Sequence, residues 1–187
     1  MHSLKEPEST LEDLMALPEE ARAELIEGVI YMMAPALARH SAVCTRLAAK
    51  MSSYFESKEK GPTDGDSWII ISEAWTYYDQ INSFVHDIAA YSQRDLPKFP
   101  EIGPIRVKPL WVCEILSPSN RLNDTQRKKV ILEQHQVPFY WLVDPAKKTI
   151  QIFKLDLKTK HYEVLISESF PPFDDLVLDV NRIFAGM

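Results

Sequence analysis

A single carboxylate inside an apolar run most constrains how this chain can fold. Residues 110–116 read Leu-Trp-Val-Cys-Glu-Ile-Leu, so Glu114 lies in the middle of a segment with the composition of a buried strand. An unpaired buried charge is costly, and a buried carboxylate therefore needs a cation, hydrogen-bond donors or a metal ion beside it. The fold must bring such a partner to Glu114.

A second carboxylate occupies a similar setting 27 residues upstream. Residues 83–91 read Ser-Phe-Val-His-Asp-Ile-Ala-Ala-Tyr, with Asp87 as the acid of the segment. If the two strands are neighbours, Asp87 and Glu114 could converge on one divalent cation. Mg²⁺ prefers oxygen ligands and usually keeps several waters, so one or two carboxylates are enough to hold it. The pair predicts a Mg²⁺ or Mn²⁺ site suited to phosphodiester chemistry.

A cationic helix follows the Glu114 strand. The pattern of residues 123–136 predicts a helix with Asn123 or Asp124 as its N-cap. Its first half carries Lys128 and Lys129. A cation at this place can orient a water molecule or offset the negative charge that develops at phosphorus. Two acids and a lysine together predict a hydrolytic site.

These segments resemble a known family. The string Glu-Ile-Leu-Ser-Pro-Ser at residues 114–119 and the string Val-Pro-Phe-Tyr-Trp-Leu-Val-Asp-Pro at residues 137–145 are typical of the Uma-type family of restriction-endonuclease-like proteins. That family, long catalogued as a domain of unknown function, is placed in the PD-(D/E)xK nuclease superfamily. Residues 24–31 and 35–40 also fit, so the resemblance covers residues 10–185.

The resemblance implies roles for particular residues. Asp87 matches the first metal-binding acid of the family, Glu114 matches the second, and the backbone carbonyl of Ile115 would be a further metal ligand. Lys128 matches the catalytic lysine. The implied activity is Mg²⁺-dependent cleavage of nucleic acid, with DNA as the expected substrate and a homodimer as the expected assembly.

Two positions depart from the pattern. In the superfamily at large the lysine lies two residues after the second acid, where this chain has Leu116; in this family it has moved to the following helix, which leaves Lys129 as an alternative to Lys128. His86 stands where the family usually has proline before the aspartate. That change keeps the metal ligand and alters the local strand.

Further residues are candidates for accessory roles. Glu27 could supply another carboxylate or only close a turn with Gly28, and His40 could line the rim of the site or cap a helix. Arg121 and Arg127 are expected to contact the nucleic acid.

Each of the three principal residues also has a purely structural interpretation. Asp87 could lie on the exposed face of a half-solvated strand. Glu114 could be a buried acid paired with Arg121 or Lys128 without any catalytic role. Lys128 could be a solvated residue of a charged helix turn.

The order of elements is that of the superfamily core, as the resemblance implies. The resemblance therefore implies an α/β (α+β) fold of the restriction-endonuclease type, with a mixed sheet flanked by helices and the acids on its central strands, and the pattern adds a C-terminal β-hairpin at residues 149–153 and 162–166. The length predicts one domain over residues 1–187, with its core at about 10–185. The pattern predicts helices at residues 10–15, 18–23 and 40–55, a turn within extended chain at 24–34, and strands at 68–78, 84–91, 110–116 and 139–143.

Charge and hydropathy limit the other functional classes. A net charge of −6 argues against broad nucleic-acid binding, although cations are concentrated at residues 121 and 127–129. The apolar runs are too short for a membrane span, which predicts a cytoplasmic protein without a membrane partner. Both cysteines lie in apolar contexts and are expected to be reduced.

A rival interpretation is a catalytically degenerate module. It would keep the nuclease fold and use exposed aromatic residues, namely Trp75, Tyr77 and Tyr78, to dimerise or to bind a partner.

Overall fold

The structure is a computed structural model that describes residues 8–18, 20–56, 67–167, 169–173 and 175–187. The helices are α1 (Leu11–Met15), α2 (Ala38–Glu56), α3 (Lys129–Gln134) and α4 (Val180–Ile183), and a π-helical segment, Asn123–Lys128, runs directly into α3. The strands are β1 (Ala23–Ile26), β2 (Val29–Met32), β3 (Trp68–Asp79), β4 (Asn82–Ser92), β5 (Trp111–Ile115), β6 (Phe139–Asp144), β7 (Thr149–Leu155) and β8 (Tyr162–Leu165).

One mixed sheet contains all eight of these strands. Its order is β2-β1-β4-β5-β6-β7-β8, and β3 pairs with β4. β5 and β6 are parallel, whereas the other named strand pairs are antiparallel. β7 and β8 form the expected C-terminal hairpin. The predicted fold class, a mixed sheet with few helices in a nuclease-like arrangement, is confirmed.

Each face of the sheet carries an apolar core. α2 buries Val43, Leu47 and Met51 against one face, as its 3.6-residue spacing predicts. α3 buries Ile131 and Leu132 against the other. We call these the α2 face and the α3 face. Within the described residues no helix is long and apolar enough to cross a bilayer.

The central strand β4 has two partners on one edge. β3 occupies the opposite edge along nearly its whole length. On the shared edge β1 pairs at Ser83, and β5 pairs from Ile88 to Ala90. The backbone between these two partners, at Val85 to Asp87, therefore faces a gap in the sheet.

The alternation of side chains along β4 also changes at this gap. Phe84 packs on the α3 face, and His86 contacts its ring. Ala89 also packs on the α3 face, although side chains on one face of a strand normally recur every second residue. The neighbouring strand is irregular at the same level, because Glu73 has a φ of 54°. Asp87 lies where the regular pleat is interrupted.

Two predictions about helices are wrong. Residues 18–23 do not form a helix in the described part of that segment, because Ala23 already pairs with Met32 and the strand buries Leu25 and Ile26 completely. Strand burial therefore outweighs the local helical pattern.

Neither Asn123 nor Asp124 caps the later helix. The chain is already helical from residue 121, and the Asp124 amide donates to the carbonyl of Asn120 at 3.0 Å. Asp124 instead lies inside the helix with its side chain buried.

Candidate active site

Asp87 and Glu114 face each other where β4 and β5 separate. They lie one step beyond Ile88 and Cys113, the last paired residues of the two strands. The amide of Asp87 donates to Glu114 Oε2 at 3.3 Å, and the amide of Ile115 donates to Asp87 Oδ2 at 2.6 Å. Each carboxylate thus accepts an amide hydrogen bond from the partner strand, which places the two acids side by side.

Asp87 is the more accessible of the two acids. Its side chain is 16% exposed, and its Oδ2 lies 3.1 Å from Nε2 of His40 on α2. The hydrogen bond to Asp87 raises the pKa of His40. Asp87 Oδ1 has no hydrogen-bond partner among the described residues. Asp87 is therefore fixed through one oxygen while the other is available.

Lys128 fills the gap between β1 and β5. Its side chain is 2% exposed, and its Nζ donates to Glu24 Oε1 at 2.8 Å and to the carbonyl of Val85 at 3.3 Å. The same Glu24 oxygen accepts the amide of Val85 at 3.0 Å. One lysine and one glutamate thus satisfy the backbone edge that neither neighbouring strand covers.

Three carboxylates surround this one ammonium group. Lys128 Nζ lies 2.8 Å from Glu24, 3.3 Å from Asp124 Oδ1 and 3.7 Å from Glu114 Oε1. Although burial acts to lower it, the carboxylates of Glu114, Glu24 and Asp124 raise the pKa of Lys128 well above its usual value. Lys128 therefore stays charged, and an excess of acid remains around it.

Two of the buried acids beside Lys128 have raised pKa values. Burial raises the pKa of Glu114 to about 8, against the opposing effect of Lys128. Burial likewise raises the pKa of Asp124 well above its usual value. Asp124 Oδ1 is buried and makes no hydrogen bond to any described residue, although it lies near the ammonium group. Both acids favour a proton or a further cation.

His86 is a second partner of Glu114. It is fully buried; its Nδ1 lies 2.6 Å from Glu114 Oε1, and its Nε2 lies 2.7 Å from the hydroxyl of Tyr78. Burial lowers the pKa of His86 to about 3, so the ring is neutral. A neutral ring with an ionised Glu114 requires Nδ1–H to donate to the glutamate and Nε2 to accept from Tyr78. His86, which stands where the family usually has proline, thus orients Glu114.

The structure brings together four of the residues named from the sequence, namely Asp87, Glu114, Lys128 and His40. The other four side chains have different partners. Arg127 lies 3.7 Å from Glu27, whose side chain is 58% exposed, and Arg121 pairs with Asp144 at 2.9 Å. Lys129 lies over the ring of Phe153.

Glu24 and Asp124 were not predicted as site residues from the sequence, and neither was the role of His86 in orienting Glu114. Glu24 belongs to the same string as Glu27, but it precedes two fully buried residues, whereas Glu27 and Gly28 both have positive φ and form the β1–β2 turn. The glycine after Glu27 was the available signal that this acid lies in a turn and that Glu24 belongs to the strand.

The oxygen donors fit a hard divalent cation. No cluster of three or more His, Cys, Asp or Glu side chains suited to a metal occurs in the part of the chain that the structure describes. Mg²⁺ does not need three, because it commonly takes one or two carboxylates and completes its shell with water and substrate oxygens. Asp87 and Glu114, with the carbonyl of Ile115, would be that set.

Comparison with known proteins bears on both the fold and the family. A crystal structure of a protein from Anabaena variabilis, described as a "putative nuclease belonging to DUF820", has a TM-score of 0.72 and 24% identity, over 94% of this chain and 97% of that chain. This likeness shows the fold. The comparison with curated proteins gives no match. A family profile described as "Putative restriction endonuclease" matches residues 11–181, nearly the whole chain, and this protein belongs to that family, Uma2.

Proposed function

We propose that this protein is an endonuclease that uses Mg²⁺ or Mn²⁺ to hydrolyse phosphodiester bonds in DNA. The observation that carries the proposal is the pair Asp87 and Glu114, side by side where β4 and β5 separate. Membership in the Uma2 family supports a nuclease function in general.

Asp87 and Glu114 would hold the metal together with the carbonyl of Ile115. A bound divalent cation supplies Lewis-acid stabilisation of the phosphate and lowers the pKa of a water molecule. Asp87 is the more exposed of the two acids, and its Oδ1, which has no hydrogen-bond partner among the described residues, would be its metal-binding oxygen. His40 holds the other oxygen and thereby fixes the carboxylate in one orientation.

Lys128 acts on Glu114 and not on the substrate in this proposal. Its ammonium group is almost fully buried, and two of its three hydrogens are directed to Glu24 and Val85. Reaching a phosphate would break both bonds. Since the ammonium opposes the upward shift that burial gives the pKa of Glu114, Lys128 favours the ionised form of this ligand that a cation would need. It is therefore a positioning residue.

The rival binding module has less support. Trp75, Tyr77 and Tyr78, expected to be exposed, are half-buried. Trp75 donates to Ser83 Oγ, Arg106 lies over the ring of Tyr77, and Tyr78 bonds His86. These contacts reduce the exposed aromatic surface on which this interpretation depends.

Nicking of supercoiled plasmid DNA tests the proposal. The wild-type protein should convert the plasmid to open-circular and linear forms with Mg²⁺ or Mn²⁺ and not with EDTA. Asp87→Asn and Glu114→Gln should each lower the rate at least about a hundredfold, because each removes a metal-binding charge. Glu27→Gln, at an exposed acid outside the cluster, is the matched control. Undiminished nicking by either site variant would contradict the assignment.

A further inference from the structure

Helix α2 has a cationic surface in an acidic protein. The net charge of the chain is −6, yet the 19 residues of α2 contain no acid before the last one, Glu56. The same helix carries Arg39, Arg46 and Lys50. A concentration of positive charge on one element of an acidic protein points to a binding role for that element.

The three cations lie in one row. Arg46 and Lys50 follow Arg39 by 7 and 11 residues. At 100° per residue the three side chains therefore fall within about 40° of each other, beside the buried stripe of Val43, Leu47 and Met51. At 1.5 Å per residue the row is about 16 Å long. DNA rises about 3.4 Å per nucleotide along one strand, so the row matches about five nucleotides.

The C-terminal segment extends this surface. Arg46 Nη1 donates to the carbonyls of Ile183 and Ala185 at 2.9 and 2.8 Å, which holds α4 against α2. α4 contributes the exposed Arg182 to a cleft of about 570 Å³ that Arg46 and Lys50 also line. The acid of the cleft, Asp179, is already engaged as the N-cap of α4.

Three of these cations are unpaired in the part of the chain that the structure describes. Arg39, Lys50 and Arg182 form no ion pair within the described ranges. Arg121 and Arg127, the DNA contacts expected from the sequence, are by contrast paired with Asp144 and Glu27.

The row begins beside the candidate active site. Arg39 is followed directly by His40, whose ring contacts Asp87 at 3.1 Å. We propose that Arg39, Arg46, Lys50 and Arg182 bind the backbone phosphates of the DNA substrate and lead one strand to Asp87. This inference rests on the proposed function and assigns its substrate-binding surface.

Fluorescence anisotropy with a labelled 20-base-pair duplex tests the inference. Binding is measured in EDTA, and in Ca²⁺ as well, for the wild type, Arg39→Gln/Lys50→Gln and the control Lys154→Gln/Lys158→Gln. The control removes the same charge from the exposed β7–β8 region. Arg46 is left in place because it holds α4.

We expect the α2 variant to bind at least about tenfold more weakly at low salt than the wild type, while the control keeps its affinity. Its slope of log affinity against log salt should be smaller by about two, since each phosphate contact contributes about 0.9. Unchanged melting temperatures would show that all three proteins are folded.

Other outcomes separate this inference from the proposed function. Equal binding by the wild type and the α2 variant would overturn the surface and leave the nuclease proposal standing. If the wild type bound no duplex in either buffer but nicked plasmid with Mg²⁺, the surface alone would fail. The absence of both binding and nicking would overturn both proposals.

Discussion

Lys128 Nζ and Glu24 Oε1 lie 2.8 Å apart, and this contact joins segments 104 residues apart in the chain. Both side chains also bond the backbone of Val85, at its carbonyl and its amide. The pair therefore replaces the strand that is missing between β1 and β5. The same two residues therefore fill the gap between β1 and β5, beside the candidate active site, and stabilise the sheet there.

Removing the ammonium group should be strongly destabilising. Lys128→Met leaves Glu24, Glu114 and Asp124 buried without their cation, and breaking a buried pair in this way costs about 3–5 kcal/mol. Equilibrium unfolding in urea measures the loss. Lys129→Met is the control, because Lys129 is the next residue, lies over the ring of Phe153 and forms no ion pair within the described residues. A loss below about 1 kcal/mol for Lys128→Met would contradict the role of this residue.

Stability should decrease with pH through the titration of Glu114. Its pKa in the folded protein, about 8, lies above the ordinary value of 4.5, so the folded state binds this proton more tightly than the unfolded state does. The resulting stabilisation is complete below pH 4.5 and is lost as the pH rises to 8. For one proton the slope reaches about 1.4 kcal/mol per pH unit.

Glu114→Gln cannot release this proton. The unfolding free energy of Glu114→Gln minus that of the wild type should therefore increase from pH 5 to pH 8. Glu27→Gln, at an exposed acid outside the site, is the matched control for the substitution itself. A difference for Glu114→Gln that stayed constant or decreased over this range would be inconsistent with a raised pKa.

The hydroxyl of Tyr78 should contribute to stability through His86. Tyr78→Phe leaves Nε2 of a fully buried imidazole without its hydrogen-bond partner, and an unsatisfied buried polar group costs about 1–3 kcal/mol. Tyr77→Phe is the matched control, since its ring faces Arg106 and its hydroxyl makes no hydrogen bond among the described residues. Equal unfolding free energies for the two variants would show that the Tyr78 hydroxyl is not needed.

Local patterns predicted most of the fold. The apolar runs predicted strands at 68–78, 84–91 and 110–116, close to β3, β4 and β5, and the spacing of Val43, Leu47 and Met51 predicted α2. The motifs also identified the family, which the match over residues 11–181 confirms. These signals succeed because each is contained within one element.

The parts that failed depend on contacts between elements. Glu24 was passed over because its partners, Lys128 and Val85, come from distant segments. The same holds for the link from Tyr78 through His86 to Glu114, which needs the interrupted pleat of β4. The N-cap prediction failed because helical structure starts at residue 121 and continues through a π-helical segment.

Metal binding should raise the melting temperature of the wild type and not that of Asp87→Asn. A ligand that binds only the folded state stabilises it by about 2.7 kcal/mol at a concentration of 100 times its dissociation constant. For a chain of this size that corresponds to about 5–11 °C. Titration with Mg²⁺ and Mn²⁺ in a thermal melt measures the shift. Glu27→Gln should respond as the wild type does, since its carboxylate lies outside the cluster. An equal shift in Asp87→Asn would show that the metal binds elsewhere. This variant lacks only the carboxylate that contacts His40 and retains Glu24, Glu114 and Asp124.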